Sequence, residues 1–313
     1  MSGAAAPSAT ALPATQTAPA PARLRVPGYW PFVVPALVVV LAVIVFPWAF
    51  TIWMSLHEWK VGSPTTFVGL ANYLRLPTDP RFTDAVWHTL AYTALSVILP
   101  LILGTLAACV FHARFPLRGF LRGLFILPMM ATPVAIALVW TMMFHPQLGV
   151  LNYLLSLAGV PPQLWVFSPG TVIWSLVLVE VWQWTPLVML IVLGGLASLP
   201  TEPYESALID GATEWQMFRR ITWPLVLPFV MVAVVIRAID ALKAFDTIYV
   251  MTQGGPGTAS ETINLFLYLQ AFAFYNIGYA SAVVVVFFVI IAVLTLLLLW
   301  SRQRTQWAEA SAP

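Results

Sequence analysis

Cysteine, lysine and charge are what this sequence holds least of. The single cysteine, Cys109, among 313 residues excludes an intrachain disulfide and reads as a small packing residue. The chain has two lysines, Lys60 and Lys243. Neither follows a G-x-x-x-x-G run, so no P-loop exists and any nucleotide that drives this protein is bound by another chain. His57, His88, His112 and His145 stand apart without spacing of the H-E-x-x-H kind, so no metal site is expected. A G-x-S-x-G elbow is also missing. No catalytic residue is therefore expected in this chain.

Charged residues make up 8% of the sequence and apolar residues 60%, with a mean hydropathy of +0.88. Soluble domains carry about 25% charge, so this composition belongs to a bilayer protein. Crossing roughly 30 Å of hydrocarbon takes about 20 helical residues. Six runs meet that length, over residues 31–56, 85–111, 121–144, 172–193, 222–250 and 277–300. They are continuous rather than alternating, which favours helices over a barrel. The expected class is an all-α integral membrane protein with six transmembrane helices.

Basic residues set the orientation. Arg23, Arg25, Arg114, Arg118, Arg122, Arg219, Arg220, Arg302 and Arg304 fall on one side of the spans, and Lys60, Arg75 and Arg81 on the other. Both termini are thus expected in the cytoplasm. Residues 1–28 are expected as a disordered tail, since positions 1–22 lack charge and are rich in Ala, Pro, Thr and Ser. The rival reading, a cleaved signal peptide, meets a run too long and without a small-x-small exit site. Residues 29–304 are expected as one six-helix transmembrane domain, and 305–313 as a cytoplasmic C-terminal tail.

Residues 200–222 read as two short helices meeting at a glycine. Thr201 can cap the first, with Glu202 and Glu205 in its first turn and Pro203 tolerated there. Gly211 stops it, and Thr213 with Gln216 forms a capping box for the second. Arg219, Arg220 and Trp223 are placed at headgroup depth.

Inside the spans, ionisable groups cost about 2.5 to 3.5 kcal/mol each at a helix centre and normally face a cavity or a partner. Glu180 is the deepest, followed by Trp182, Gln183, Trp184 and Pro186. An acid, an amide and indole faces suit a polyhydroxy ligand. Packing or lipid contact is the plain alternative for each indole. Arg237 lies about 24 Å along the fifth span from Ile221. Arg237, Asp240, Lys243 and Asp246 are spaced by three, so they either pair along their own helix or line a pore.

Glu205-Ser206-Ala207-Leu208-Ile209-Asp210-Gly211-Ala212, followed by Phe218-Arg219-Arg220-Ile221-Thr222-Trp223-Pro224, resembles the cytoplasmic EAA loop of ABC-importer permeases, with Ser206 replacing the middle Ala. Phe245-Asp246-Thr247-Ile248 through Thr252-Gln253-Gly254-Gly255-Pro256 is similar to the segment after the fifth core span of carbohydrate-type permeases. With Pro186 and Gly278-Tyr279-Ala280-Ser281-Ala282, the likeness runs from about Trp30 to Arg304. It is closest to the maltose and glycerol-phosphate permease family.

The resemblance implies the type I ABC-importer permease fold and a subunit that forms half of a sugar-conducting pore in a bacterial or archaeal cytoplasmic membrane. Glu205, Ser206, Ala207, Asp210, Gly211 and Ala212 would then couple to the ATPase. Glu180, Gln183, Trp184, Asp240, Ala241 and Ala244 would lie near the solute, and Gly254, Gly255 and Pro256 would meet a solute-binding protein. The implied partners are a second homologous permease, a dimer of ATPase subunits that binds ATP and Mg, an extracytoplasmic binding protein and the lipid bilayer. No nucleic acid and no cofactor in this chain are expected. The alternatives are an importer of polyols or glycerol phosphodiesters in the same superfamily, an ion-coupled secondary transporter, and a membrane-embedded enzyme.

Overall fold

The computed structural model describes residues 30–310, so the expected tail over 1–28 lies outside the described residues. Two compact units meet in sequence at Trp48 and Ala49. In the first, α1 (Trp30–Val40) passes through a π-helical turn at Leu41–Val45 into α2 (Phe46–Ser55), whose residues from Ala49 on belong to the second. Phe32–Ser55 is long and apolar enough to cross a membrane. Residues 32–47 are apolar on every face, the composition of a helix that lies in hydrocarbon.

After the end of α2 the second unit continues with a two-residue hairpin, His57–Glu58 against Thr66–Phe67, and a short helix α3 (Ala71–Arg75). Then come α4 (Pro80–His112), α5 (Arg118–Met130), α6 (Pro133–Met143), α7 (Val150–Leu157) and α8 (Val172–Ala197). They are followed by α9 (Glu202–Ile209), α10 (Glu214–Met217), α11 (Trp223–Leu242), α12 (Asp246–Thr252), α13 (Ile263–Tyr268) and α14 (Ile277–Ala310). Asp79 starts α4 by accepting from Arg81 N at 3.0 Å, with Pro80 in the first helical position, where its missing N–H matters least.

Helix α8 is the most buried of the long helices and packs on α4, α5 and α11. Two glycines set those distances. A Cβ at Gly104 of α4 would stand 2.7 Å from Cβ of Val188, and one at Gly195 of α8 would stand 2.5 Å from the Phe229 ring. Larger side chains would force the helices apart. The contacts close a core of Ala108, Val188, Met189, Val192, Val226 and Val230.

Two expected spans are corrected. The run over 121–144 is two helices, α5 and α6, bent by 97° at Ala131 and Thr132. Pro133 drives Thr132 to φ −68°, ψ 141°, because a residue before proline is pushed out of the helical region. The carbonyl left free at Ala131 accepts from Gln183 Nε2 at 3.3 Å. The run over 222–250 is likewise two helices: α11 stops at Leu242, where Lys243 and Asp246 interrupt the apolar run, and α12 begins with Asp246 in its first turn. At the C-terminus, α14 continues through residues 305–310, within the stretch expected as a tail.

Candidate functional site

The segment after α8 is a closed two-helix unit. Gly211 sits at φ +74°, its N–H donates to Leu208 O at 3.1 Å, and Ala212 N–H donates to Ala207 O at 2.9 Å. That pair of bonds is a Schellman stop, which needs a residue without a Cβ penalty at the left-handed position. Thr213 then opens α10 with a complete capping box. Gln216 N–H donates to Thr213 Oγ1 at 3.3 Å, and Thr213 N–H donates to Gln216 Oε1 at 2.8 Å. Thr201 stands at the head of α9, but its side chain makes no capping bond, because its backbone is already helical at φ −87°, ψ −25°.

From α10 the chain runs through a π-helical turn at Phe218–Thr222 into α11 without a break, giving one helix over Glu214–Leu242. Tyr204 and Thr222 hydroxyls meet at 2.9 Å and tie α9 to the base of that helix. Glu205, Ser206, Asp210 and Gly211 are exposed, with Ala207 and Ala212 half-buried. Leu208, Ile209 and Trp215 are 61%, 87% and 68% exposed, so the surface is more apolar than the acidic and small residues alone suggest. Sequence reasoning passed over these three, since exposed apolar side chains on helices this short carry no periodic signal within one chain.

At the far end of α11 lies a cleft of about 320 Å³. Glu180, Trp184, Asp240 and Ala244 line it together, as do Arg237, Lys243, Phe245 and Asp246. Arg237 does not pair along its own helix. It donates from Nη2 to Glu180 Oε2 on α8 at 2.7 Å, and its guanidinium lies 4.9 Å over the Trp184 ring. Both charged groups are buried, and fully buried Tyr92 of α4 stands within electrostatic reach of them. Nε of Arg237 and the Tyr92 hydroxyl have no hydrogen-bond partner. Among the described residues, Asp240, Lys243 and Asp246 form no ion pair. Phe245 stacks on Tyr249 at 5.3 Å, and both contact Tyr268, extending an aromatic wall away from the cleft.

Gln183 and Ala241 lie off the cleft. Gln183 serves the α5–α6 elbow, and Ala241 packs with Val97 and Ala238. Neither departure is surprising at helical pitch, because adjacent residues point about 100° apart.

The loop after α12 is braced from within and from α4. Gly254 takes φ +91°, Ser260 Oγ donates to Gly255 O at 2.6 Å, and Thr252 and Ser260 hydroxyls meet at 2.8 Å. Pro256 follows half-buried, and the exposed part of the loop is Gln253, Gly257 and Thr258. Arg81 Nε donates to both oxygens of Glu261 at 3.1 and 2.9 Å, and Ile263 N–H donates to Thr89 Oγ1 at 2.8 Å. Burial pushes the Glu261 carboxyl above its usual range, with the Arg81 guanidinium opposing that shift.

Residues 100–307 match the family described as binding-protein-dependent transport system inner membrane component. The trehalose/maltose transport system permease protein MalF of Thermococcus litoralis is 39% identical over 247 residues, 79% of this chain and 82% of that protein. The trehalose transport system permease protein SugA of Mycobacterium tuberculosis is 33% identical, covering 80% of each. Among solved structures, a bacterial ABC transporter involved in import of the acidic polysaccharide alginate aligns at 23% identity. Its TM-score is 0.77 over 88% of this chain and 94% of that one, which establishes the type I importer permease fold. The chain therefore belongs to the binding-protein-dependent transport system inner membrane component family, as a multi-pass, non-enzymatic permease subunit whose ATPase is a separate chain.

Proposed function

We propose that this permease forms half of the pore of an ABC importer for a sugar, and that α9 and α10 are its grip for the ATPase. The observation that carries the reading is the continuity of Glu214–Leu242. One helix begins at an exposed, capped unit and ends at a polar cleft, with Arg237 about 35 Å along it from Glu214. A push on the capped end is delivered to the cleft wall, because an unbroken helix transmits displacement instead of absorbing it.

The cleft suits neutral polyhydroxy solutes. Carboxylates of Glu180, Asp240 and Asp246 accept hydroxyls, and the Trp184 and Phe245 rings offer faces for C–H stacking. Two cations, Arg237 and Lys243, stand against those three carboxylates, which disfavours an anionic solute such as a glycerol phosphodiester. The names of the relatives favour trehalose or maltose as the first sugars to test. Glu205, Ser206, Ala207, Asp210, Gly211 and Ala212 bear on a groove of the ATPase, which binds ATP and Mg. A second homologous permease completes the pore, and a solute-binding protein docks at the loop of Gly254, Gly255 and Pro256. Both termini and the capped unit face the cytoplasm.

The test is uptake into liposomes holding this chain with its permease and ATPase partners, driven by internal ATP and fed by the loaded binding protein. Trehalose or maltose uptake is expected to be abolished by vanadate. Glu205→Lys should leave the protein in the membrane yet remove uptake and substrate-stimulated ATP hydrolysis. Uptake indifferent to vanadate, or wild-type coupling in Glu205→Lys, overturns the reading.

A further inference from the structure

At the end of the helical unit that carries α9, the turn from α4 to α5 brings His112, Arg114, Arg118 and Arg122 around one cavity of about 540 Å³, whose remaining wall includes Leu190 and Leu193 of α8. No carboxylate lines it. Among the described residues none of these three arginines is in an ion pair. Arg118 Nη1 donates to the carbonyls of His112 and Ala113 at 3.3 and 3.5 Å, which pins it to the end of α4. Nε of Arg122 is buried and has no hydrogen-bond partner. A buried guanidinium N–H left without an acceptor is costly, and three uncompensated cations at one spot ask for an anion.

Depth identifies the anion. Helix α8 ends at Ala197, so Leu190 lies about 10 Å inward from that end; with the helix end at the membrane surface, that is where headgroups give way to acyl chains. A free phosphate would find no use for the leucine floor, whereas a phosphodiester carrying acyl chains would meet cations at its head and apolar side chains just below. We propose that this cavity is a headgroup site for an anionic phospholipid, with the phosphate held by Arg114, Arg118 and Arg122. Only the choice of the inner leaflet rests on the orientation proposed above; the contact between cation and phosphate does not.

The site couples to packing that matters for transport. A lipid held there spans the ends of α4, α5 and α8, and α8 carries Glu180 of the cleft. Occupancy of the site would therefore stiffen the frame against which α11 moves.

The experiment uses the permease purified with its partner subunits, titrated with phosphatidylglycerol or phosphatidylcholine and read by native mass spectrometry. Phosphatidylglycerol is expected to bind preferentially and to persist in 10 mM inorganic phosphate. A basic residue near the membrane surface is worth about a five-fold change in affinity, so Arg118→Gln/Arg122→Gln should weaken phosphatidylglycerol binding by roughly 30-fold. Exposed Arg114, which cannot upset packing, should give about five-fold as Arg114→Gln. Arg75→Gln, at the opposite end, should change nothing. Equal retention of the two lipids, displacement by inorganic phosphate, or unchanged affinity in both cavity variants overturns the proposal, whichever way the coupling unit faces.

Discussion

At the scale of single residues, the decisive contact is the buried pair of Glu180 and Arg237 at 2.7 Å. Each charge alone would be expensive at that depth, and each lowers the other's cost. Removing one partner strands the other: Glu180→Ala should destabilise the protein by about 3 to 5 kcal/mol. Replacing both with methionine, which roughly preserves volume and leaves no stranded charge, should recover most of that stability while uptake stays lost with the polar wall. Denaturant unfolding in detergent beside vesicle uptake separates the two effects. A double variant as unstable as the single one would show that the pair carries no coupling, and one that transports normally would remove the cleft from the solute path. The sequence made both residues visible as ionisable groups inside apolar runs. It could not reveal their pairing, because 57 positions separate them and the three-residue spacing of Arg237, Asp240 and Lys243 offered a local partner first.

At the scale of elements, the stop of α9 was readable because a glycine between an acidic helix and a T-x-x-Q box has few other uses. Gly211 at φ +74° tests that reading directly. Gly211→Asn should be tolerated, since asparagine visits the left-handed region. Gly211→Ala should cost about 1 to 2 kcal/mol locally and partly reduce coupling. Gly211→Pro cannot take that φ and also deletes the donor to Leu208 O, so membrane content should stay normal while stimulated ATP hydrolysis disappears. Full stimulation in the proline variant would mean that the hinge is not part of the grip. The elbow of α5 and α6 was not readable, because Ala131 and Thr132 sit within an apolar run whose length satisfied a single span. What breaks it is the combination of Pro133 with an acceptor need met by Gln183 on another helix, a tertiary fact.

At the scale of the whole molecule, charge asymmetry and mechanism stand or fall together. Arg114, Arg118 and Arg122 share an end of the helical unit with the end of α8, from which α9 departs, while Arg81 holds the loop that carries Gly254 and Pro256. If the basic end faces the cytoplasm, the exposed Leu208, Ile209 and Trp215 have an ATPase to cover them and Thr258 faces the delivery side. With Cys109→Ser as background, Ser206→Cys and Thr258→Cys report on this, both positions being exposed. A membrane-impermeant maleimide should label Thr258→Cys in intact cells. Ser206→Cys should react only in inside-out vesicles, and there only until the ATPase subunits bind and shield it. Shielding matters as much as sidedness, because a cytoplasmic position 206 that stays reactive in the assembled transporter would leave the helix Glu214–Leu242 with nothing to push it.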